Sequence, residues 1–175
     1  FETIHPFLDG NGRIGRLLIN VQLMMRGRLS HPLLYLSTYF ETHRSDYYRR
    51  LQGVRERGDI DAWLLFFLEA VREQAGDAIT RSQRLVRVRE SYFGEAIQAR
   101  SSLPRLVAML VENPFVTVRS VESRLGLTNQ GARTLIRSAV SRGWLVSLGR
   151  RGRGSREYWY SPRVFDVMNA PMAYD

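Results

Sequence analysis

The chain has 175 residues, with 26 basic and 17 acidic side chains, three histidines, no cysteine, a formal net charge of +9 and 44% hydrophobic residues. These figures exclude a disulfide scaffold, a zinc–thiolate site and a cysteine nucleophile. They leave one large or two small domains, with apolar material enough for a core. No run of about 18 uncharged apolar residues occurs, and the N-terminus lacks the basic-then-apolar layout of a signal peptide, so the expectation is a soluble cytoplasmic protein with no membrane partner.

All 26 basic residues are arginine. The guanidinium fork binds planar oxyanions bidentately, which favours phosphate or carboxylate partners, although a codon bias toward arginine explains the missing lysine equally well. The first residue is Phe1 and a motif follows almost at once. The expectation is therefore the C-terminal part of a longer chain.

The first predicted helix runs from Gly12 to Arg26, with Ile14, Leu17, Leu18, Val21, Met24 and Met25 on its apolar face. A glycine-rich turn, His5-Pro6-Phe7-Leu8-Asp9-Gly10-Asn11-Gly12, opens it. Backbone N–H groups at such a turn lack partners within the helix, and with the helix dipole they form an anion site. Gly10 and Gly12 let the backbone approach the anion closely. Arg13 and Arg16, three apart in the first turn, share a face near the positive end of the dipole, a placement that makes sense with an anion between them. Asp9 would repel a phosphate unless a divalent cation bridged the two, and a hard oxygen ligand suits Mg²⁺. His5 can take a proton at neutral pH. Gly10, Gly12 and Gly15 also match the dinucleotide-binding glycine pattern, but no clear strand precedes them and Ser30 stands near where the acidic residue belongs. A purely structural loop is the other bland reading.

This segment resembles the signature of the Fic family, His-x-Phe-x-Asp/Glu-Gly-Asn-Gly-Arg-x-x-Arg, and matches it at His5, Phe7, Asp9, Gly10, Asn11, Gly12, Arg13 and Arg16. The similarity extends through Leu36–Phe40, Asp46–Tyr48 and Trp63–Val71, covering about residues 1–100. The resemblance implies an all-helical fold that transfers AMP from ATP to a Ser, Thr or Tyr hydroxyl of a target protein and releases pyrophosphate. It makes His5 the catalytic base and Asp9 the Mg²⁺ ligand. Gly10, Asn11 and Gly12 become the anion cradle, Arg13 and Arg16 the phosphate ligands, and Phe7 a core anchor of the loop. The family's earlier helices, target-positioning hairpin and inhibitory helix would lie before Phe1. Members that transfer another phosphate-containing group or remove AMP keep those alternatives open.

Further helices are predicted from Ser37 to Arg57 and from Asp59 to Arg100, the latter with a break near Gly76. Ser37 and Asp59 are the expected N-caps, and Gly27 and Gly58 the stops. Ile79, Val86 and Phe93 recur every seven residues, a stripe expected to pack within its own domain or, failing that, to form a dimer seam. His31 and His43 lack a second metal ligand at useful spacing and read as structural. Tyr47, Tyr48, Trp63, Phe66 and Phe67 read as core, and Asp59 and Asp61 as capping residues.

From Ser101 the texture changes, which places a domain boundary near Arg100 between residues 1–100 and 101–175. Helices are expected around Leu103–Leu110, Val118–Leu125 and, capped by Thr128, Ala132–Val140. A hairpin follows from Trp144–Leu148 and Glu157–Tyr160 with a turn over Gly149–Ser155. Residues 101–175 hold 11 arginines against five acids. The fold class read here is mainly α, the C-terminal part of an all-helical Fic domain followed by a small winged-helix domain with a β-hairpin. Asn129, Gln130, Arg133 and Arg137 would face away from the core to read DNA bases, with Arg150, Arg151 and Arg153 on the wing for phosphates. Docking of a target or of a second protomer is the competing reading. At the level of function, the alternative to an adenylyltransferase is a DNA-binding transcriptional regulator whose Fic-derived portion senses a nucleotide.

Overall fold

The computed structural model describes residue 1 and residues 4–29, 35–99, 101–151 and 156–169. Those residues are mainly helical, with a small three-stranded antiparallel sheet toward the C-terminus. They divide into two compact units, Phe1–Thr80 and Arg81–Asp175. No helix among them is long and apolar enough to cross a membrane.

In the first unit, α1 (Asn11–Met25) starts at Gly10, whose φ of 82° is a left-handed value that glycine adopts without a Cβ clash, and Gly27 (φ 65°) follows its end. The single helix expected from Ser37 to Arg57 is two, α2 (Leu36–Thr42) and α3 (Arg44–Arg57), separated at His43. The His43 ring stacks on Tyr39 at 4.2 Å, and its Nδ1 shares a hydrogen bond with the Tyr39 carbonyl oxygen. Ser37 lies inside the first turn of α2, and Tyr35 occupies the cap position. Gly58 stops α3 in the left-handed conformation as expected. Asp59 Oδ1 accepts the Ala62 N–H at 3.2 Å, capping the start of α4 (Ile60–Ile97).

The predicted break at Gly76 is absent, and α4 is helical throughout its 38 residues. A glycine inside a helix costs only about 0.5–1 kcal/mol relative to alanine, too little by itself to interrupt a long helix. The core of the first unit is aromatic. Leu36, Tyr39 and Phe40 from α2, Tyr47 from α3, and Phe66 and Ala70 from α4 are buried together, with Ile19 and Leu23 of α1 packed against them. Tyr47 and Phe66 are core as expected, whereas Tyr48 is exposed.

The second unit begins inside α4, well before the change of sequence texture near Arg100. Val88, Tyr92 and Ala96 of α4 enter its core. The Tyr92 ring stacks on Trp144 at 4.9 Å, and Trp144 Nε1–H donates to Glu95 Oε2 at 3.0 Å. Buried Tyr92 Oη and Ser161 Oγ are 3.2 Å apart. The stripe expected to pack, Ile79, Val86 and Phe93, is instead exposed. The buried phase of the helix is the one that carries Tyr92 onto Trp144, and a seven-residue spacing of apolar residues does not reveal which phase that is.

The remainder is α5 (Leu103–Glu112), β1 (Phe115–Val116), α6 (Val118–Leu125), α7 (Asn129–Ser141), β2 (Val146–Arg151), β3 (Arg156–Tyr160) and α8 (Pro162–Asn169). Thr117 and Ser120 form a reciprocal capping box at α6, Gly126 ends that helix with φ 65°, and Thr128 Oγ1 accepts the Gly131 N–H at the start of α7. The strands lie in the order β1-β3-β2, with Val116 opposite Trp159 and Val146 opposite Tyr160. Trp144 and Leu145 precede the hairpin and are buried in the core rather than paired in it. Gly149, expected in the turn, sits at an irregularity in β2 with φ 74°. Residues 152–155 of the expected turn, Arg153 among them, and His31 lie outside the described residues, as does the side chain of Arg151.

Candidate active site

The loop before α1 is tied to the helix by one side chain. Asn11 is 3% exposed. Its Oδ1 accepts the Phe7 N–H at 2.9 Å and its Nδ2 donates to the Phe7 carbonyl oxygen, so both backbone polar groups of one residue are closed onto the helix start. Phe7, expected to anchor the loop in the core, is instead 50% exposed and meets only the Phe1 ring among the aromatic contacts of the described residues, at 6.2 Å. Asn11 therefore holds the loop, a task that the spacing of the motif does not disclose. Asn11→Ala would leave the Phe7 N–H and carbonyl without these partners, at about 1–3 kcal/mol. The expected result is faster amide hydrogen exchange at Phe7 with little change in helix content.

His5 precedes this turn with φ 50°, a left-handed conformation uncommon for a residue with a side chain and typical of constrained functional loops. Its backbone N–H donates to the Phe1 carbonyl oxygen at 3.0 Å. At the mouth of the helix, Asp9 Oδ1 accepts the Gly10 N–H at 2.6 Å and Oδ2 accepts from Arg13 Nη2 at 3.2 Å. The carboxylate thus sits where an anion belongs, between a backbone donor at the helix N-terminus and a guanidinium. Both side chains are largely exposed, so this pair is weak and open to exchange for a stronger anion.

Arg16 is the less accessible partner. Its Nε is buried with no hydrogen-bond partner among the described residues. Its guanidinium lies over Gly12, where an added Cβ would stand 3.2 Å from Nη1. Gly12 is thereby the residue that lets Arg16 fold back over the first turn. Gly12→Ala should push this group aside and weaken binding of a phosphate-bearing ligand by about tenfold, the equivalent of one charge-assisted hydrogen bond. Titration calorimetry with ATP reads that loss directly.

These residues share one open cleft of about 500 Å³, lined by His5, Leu8, Asp9, Gly10, Asn11, Gly12, Arg13 and Arg16 on one side and by Glu41, Arg44, Tyr47, Tyr48 and Leu51 on the other. All of the motif positions read as site residues in the sequence come together there. The second wall, supplied by α2 and α3, was not legible, because it depends on how those helices return to the loop. Arg44 lies over the Tyr48 ring at 5.8 Å, placing a further cation at this wall. On α4, outside the cleft, the exposed Glu69 carboxyl is held below its ordinary pKa by a hydrogen bond from Arg72.

Among the described residues no group of three or more His, Asp or Glu side chains could hold a metal ion. Asp9 is the carboxylate beside the cradle. A single protein carboxylate fits Mg²⁺ that takes its other ligands from water and phosphate oxygens, and the buried, unpartnered Nε of Arg16 fits an anion at the same place.

Residues 1–23 match the family model described as the Fic/DOC family. The protein adenylyltransferase Fic of Aedes aegypti is 42% identical over 66 residues, covering 38% of this chain and 12% of that protein. The protein of the same name from Drosophila grimshawi is 39% identical over 70 residues, 40% of this chain and 13% of that protein. A probable protein adenylyltransferase of Aquifex aeolicus is 60% identical over 30 residues, 17% of this chain and 9% of that protein. The chain thus spans a small part of the length of the curated relatives it matches. The motif residues that line one side of the cleft, His5 to Arg16, thus lie within the stretch that matches the Fic/DOC family, and the chain is similar in part to protein adenylyltransferases.

Proposed function

We propose that the first unit carries the nucleotide-transfer site of a protein adenylyltransferase, moving AMP from ATP to a Ser, Thr or Tyr hydroxyl of a target protein. The observation that carries this reading is the convergence of His5, Asp9, the glycine turn at the start of α1, Arg13 and Arg16 on one cleft. Transfer at phosphorus needs alignment and charge neutralisation more than covalent help from the protein, and these groups supply both.

In this reading the N–H groups at the start of α1 and the guanidinium of Arg16 bind the phosphates, and Arg13 exchanges its pairing with Asp9 for a phosphate oxygen. Asp9 would then hold Mg²⁺, which neutralises charge on the phosphates. His5 accepts the proton of the acceptor hydroxyl. The acceptor oxygen forms a bond to the α-phosphorus as the bond to the β-phosphate oxygen breaks, and pyrophosphate leaves. His5, with its positive φ, lines the same cleft as these groups.

Parallel incubations with ATP labelled in the α- or the γ-phosphate test the reading. Protein-bound label from the α position alone is the expected result. Label from the γ position would identify phosphate transfer instead and overturn the assignment of AMP. A nucleotide-binding site without transfer would give label from neither, together with measurable ATP affinity.

A further inference from the structure

The division of the chain between Thr80 and Arg81 also divides its charge. The first unit contains ten arginines and ten acidic residues, and the second contains 16 arginines against seven, so the whole net charge of +9 belongs to the second unit. Several of these arginines serve the fold. Arg124 pairs with Glu112, Arg163 lies over Tyr92 and Arg142 over Trp144. Those around α7 do not.

Helix α7 buries Ala132, Leu135, Ile136 and Ala139 and turns Asn129, Gln130, Arg133 and Arg137 outward. Its 13 residues include no acid. Asn129, Arg133 and Arg137 are spaced by four and share one face. Asn129 Oδ1 accepts Arg133 Nε–H at 2.8 Å, which orients that guanidinium and leaves its terminal nitrogens outward, and Thr134 Oγ1 accepts from Arg137. Neither arginine has a carboxylate partner among the described residues.

The helix stands between two open clefts. One, of about 260 Å³, runs from the start of α6 to the hairpin and is lined by Arg119, Arg133, Arg150 and Arg156 as well as Glu122 and Glu157. The other, of about 650 Å³, separates α7 from the sheet, and Arg133 lines both. Glu157 is hydrogen-bonded by Ser147.

We infer that this face binds double-stranded DNA, with α7 entering the major groove and the β2–β3 hairpin meeting the sugar–phosphate backbone. A three-residue turn containing a left-handed glycine, Gly126, joins α6 to α7, the layout of a helix-turn-helix. A helix with its side chains is about 10–12 Å across, and the B-form major groove is about 12 Å wide. Two amides, Asn129 and Gln130, are followed by two guanidinium groups, Arg133 and Arg137, on the outward side, the chemistry that reads adenine and guanine edges. Arg150 and Arg156 extend the cation along one flank, where a backbone would run. The A-form major groove is too narrow and deep for a helix, so the face selects DNA over double-stranded RNA.

The test titrates the whole chain into a fluorescent mixed-sequence DNA duplex of 24 base pairs, and into the RNA duplex of the same sequence, at several salt concentrations. Contacts from Arg150 and Arg156 to phosphate give a slope of about −1.8 in log affinity against log salt, roughly a 12-fold loss between 50 and 200 mM. Arg133→Ala and Arg137→Ala should each lower DNA affinity by about tenfold. Arg105→Ala removes the same charge from exposed α5 and should change it less than twofold. Thermal melting shows that each variant remains folded. Absence of DNA binding at 50 mM salt, equal affinity for the RNA duplex, or an equal loss in Arg105→Ala would each overturn the inference. Self-association without DNA binding, read by sedimentation, would assign the face to a second copy of the chain.

Discussion

His5→Ala is expected to lower the rate of AMP transfer by about 10²- to 10⁴-fold, the usual contribution of a general base. ATP affinity in the same variant should stay within about twofold of the parent, because the phosphate-binding groups lie elsewhere in the cleft. In the proposed reading the cradle comprises the N–H groups at the start of α1 with Arg13 and Arg16, and Asn11 holds the loop beside it through Phe7. His5 lines the same cleft and is not a partner in the Asn11–Phe7 hydrogen bonds. The paired measurements are single-turnover transfer and calorimetric titration of ATP. A variant that lost affinity and rate in equal measure would place His5 among the binding groups instead.

Trp144→Ala should have the largest effect on stability. The ring is 1% exposed, stacked on Tyr92 and hydrogen-bonded to Glu95, and it joins the last turns of α4 to the core built from α5, α6 and α7. Removing a buried aromatic of this size costs about 3–5 kcal/mol. That is a large share of the stability of a small domain, which is about 5–15 kcal/mol. Trp144→Phe keeps most of the packing and removes the indole donor alone, so it should cost about 1–3 kcal/mol. Urea unfolding followed by far-ultraviolet circular dichroism separates the two. Equal, small losses for both variants would show that the Tyr92–Trp144 stack does not hold the second unit together.

The candidate site was largely legible because its chemistry is contiguous. His5 through Arg16 span twelve residues, and a glycine turn followed by a helix places their backbone and charged groups together whatever lies elsewhere in the chain. What the sequence did not disclose is what depends on distant packing. Glu41, Arg44 and Tyr48 reach the cleft only through the return of α2 and α3, and nothing in their spacing announces it. The phosphate-like position of the Asp9 carboxylate and the clamp on Phe7 are likewise products of the turn geometry.

The fold shows the same division. The caps at Asp59 and Thr128, the left-handed glycines after α3 and α6, and the hairpin were readable from local chemistry. The continuity of α4 past Gly76 was not, because a single glycine inside a long helix carries only a small penalty and does not by itself mark an end. Nor was the membership of Val88, Tyr92 and Ala96 in the C-terminal core, since the helix pattern itself does not change at Arg81. Two short elements escaped as well. β1 has two residues, too few for alternation to be visible, and α8 buries Val164 alone.

The central claim is that this cleft transfers AMP with His5 as the base. The most direct measurement incubates the chain and its His5→Ala variant side by side with α-phosphate-labelled ATP, Mg²⁺ and a protein lysate, and compares label on individual proteins. The account predicts discrete labelled proteins with the parent sequence and none above background with the variant. Labelling of equal intensity with both chains, or its absence in a parent shown to bind ATP, would contradict it.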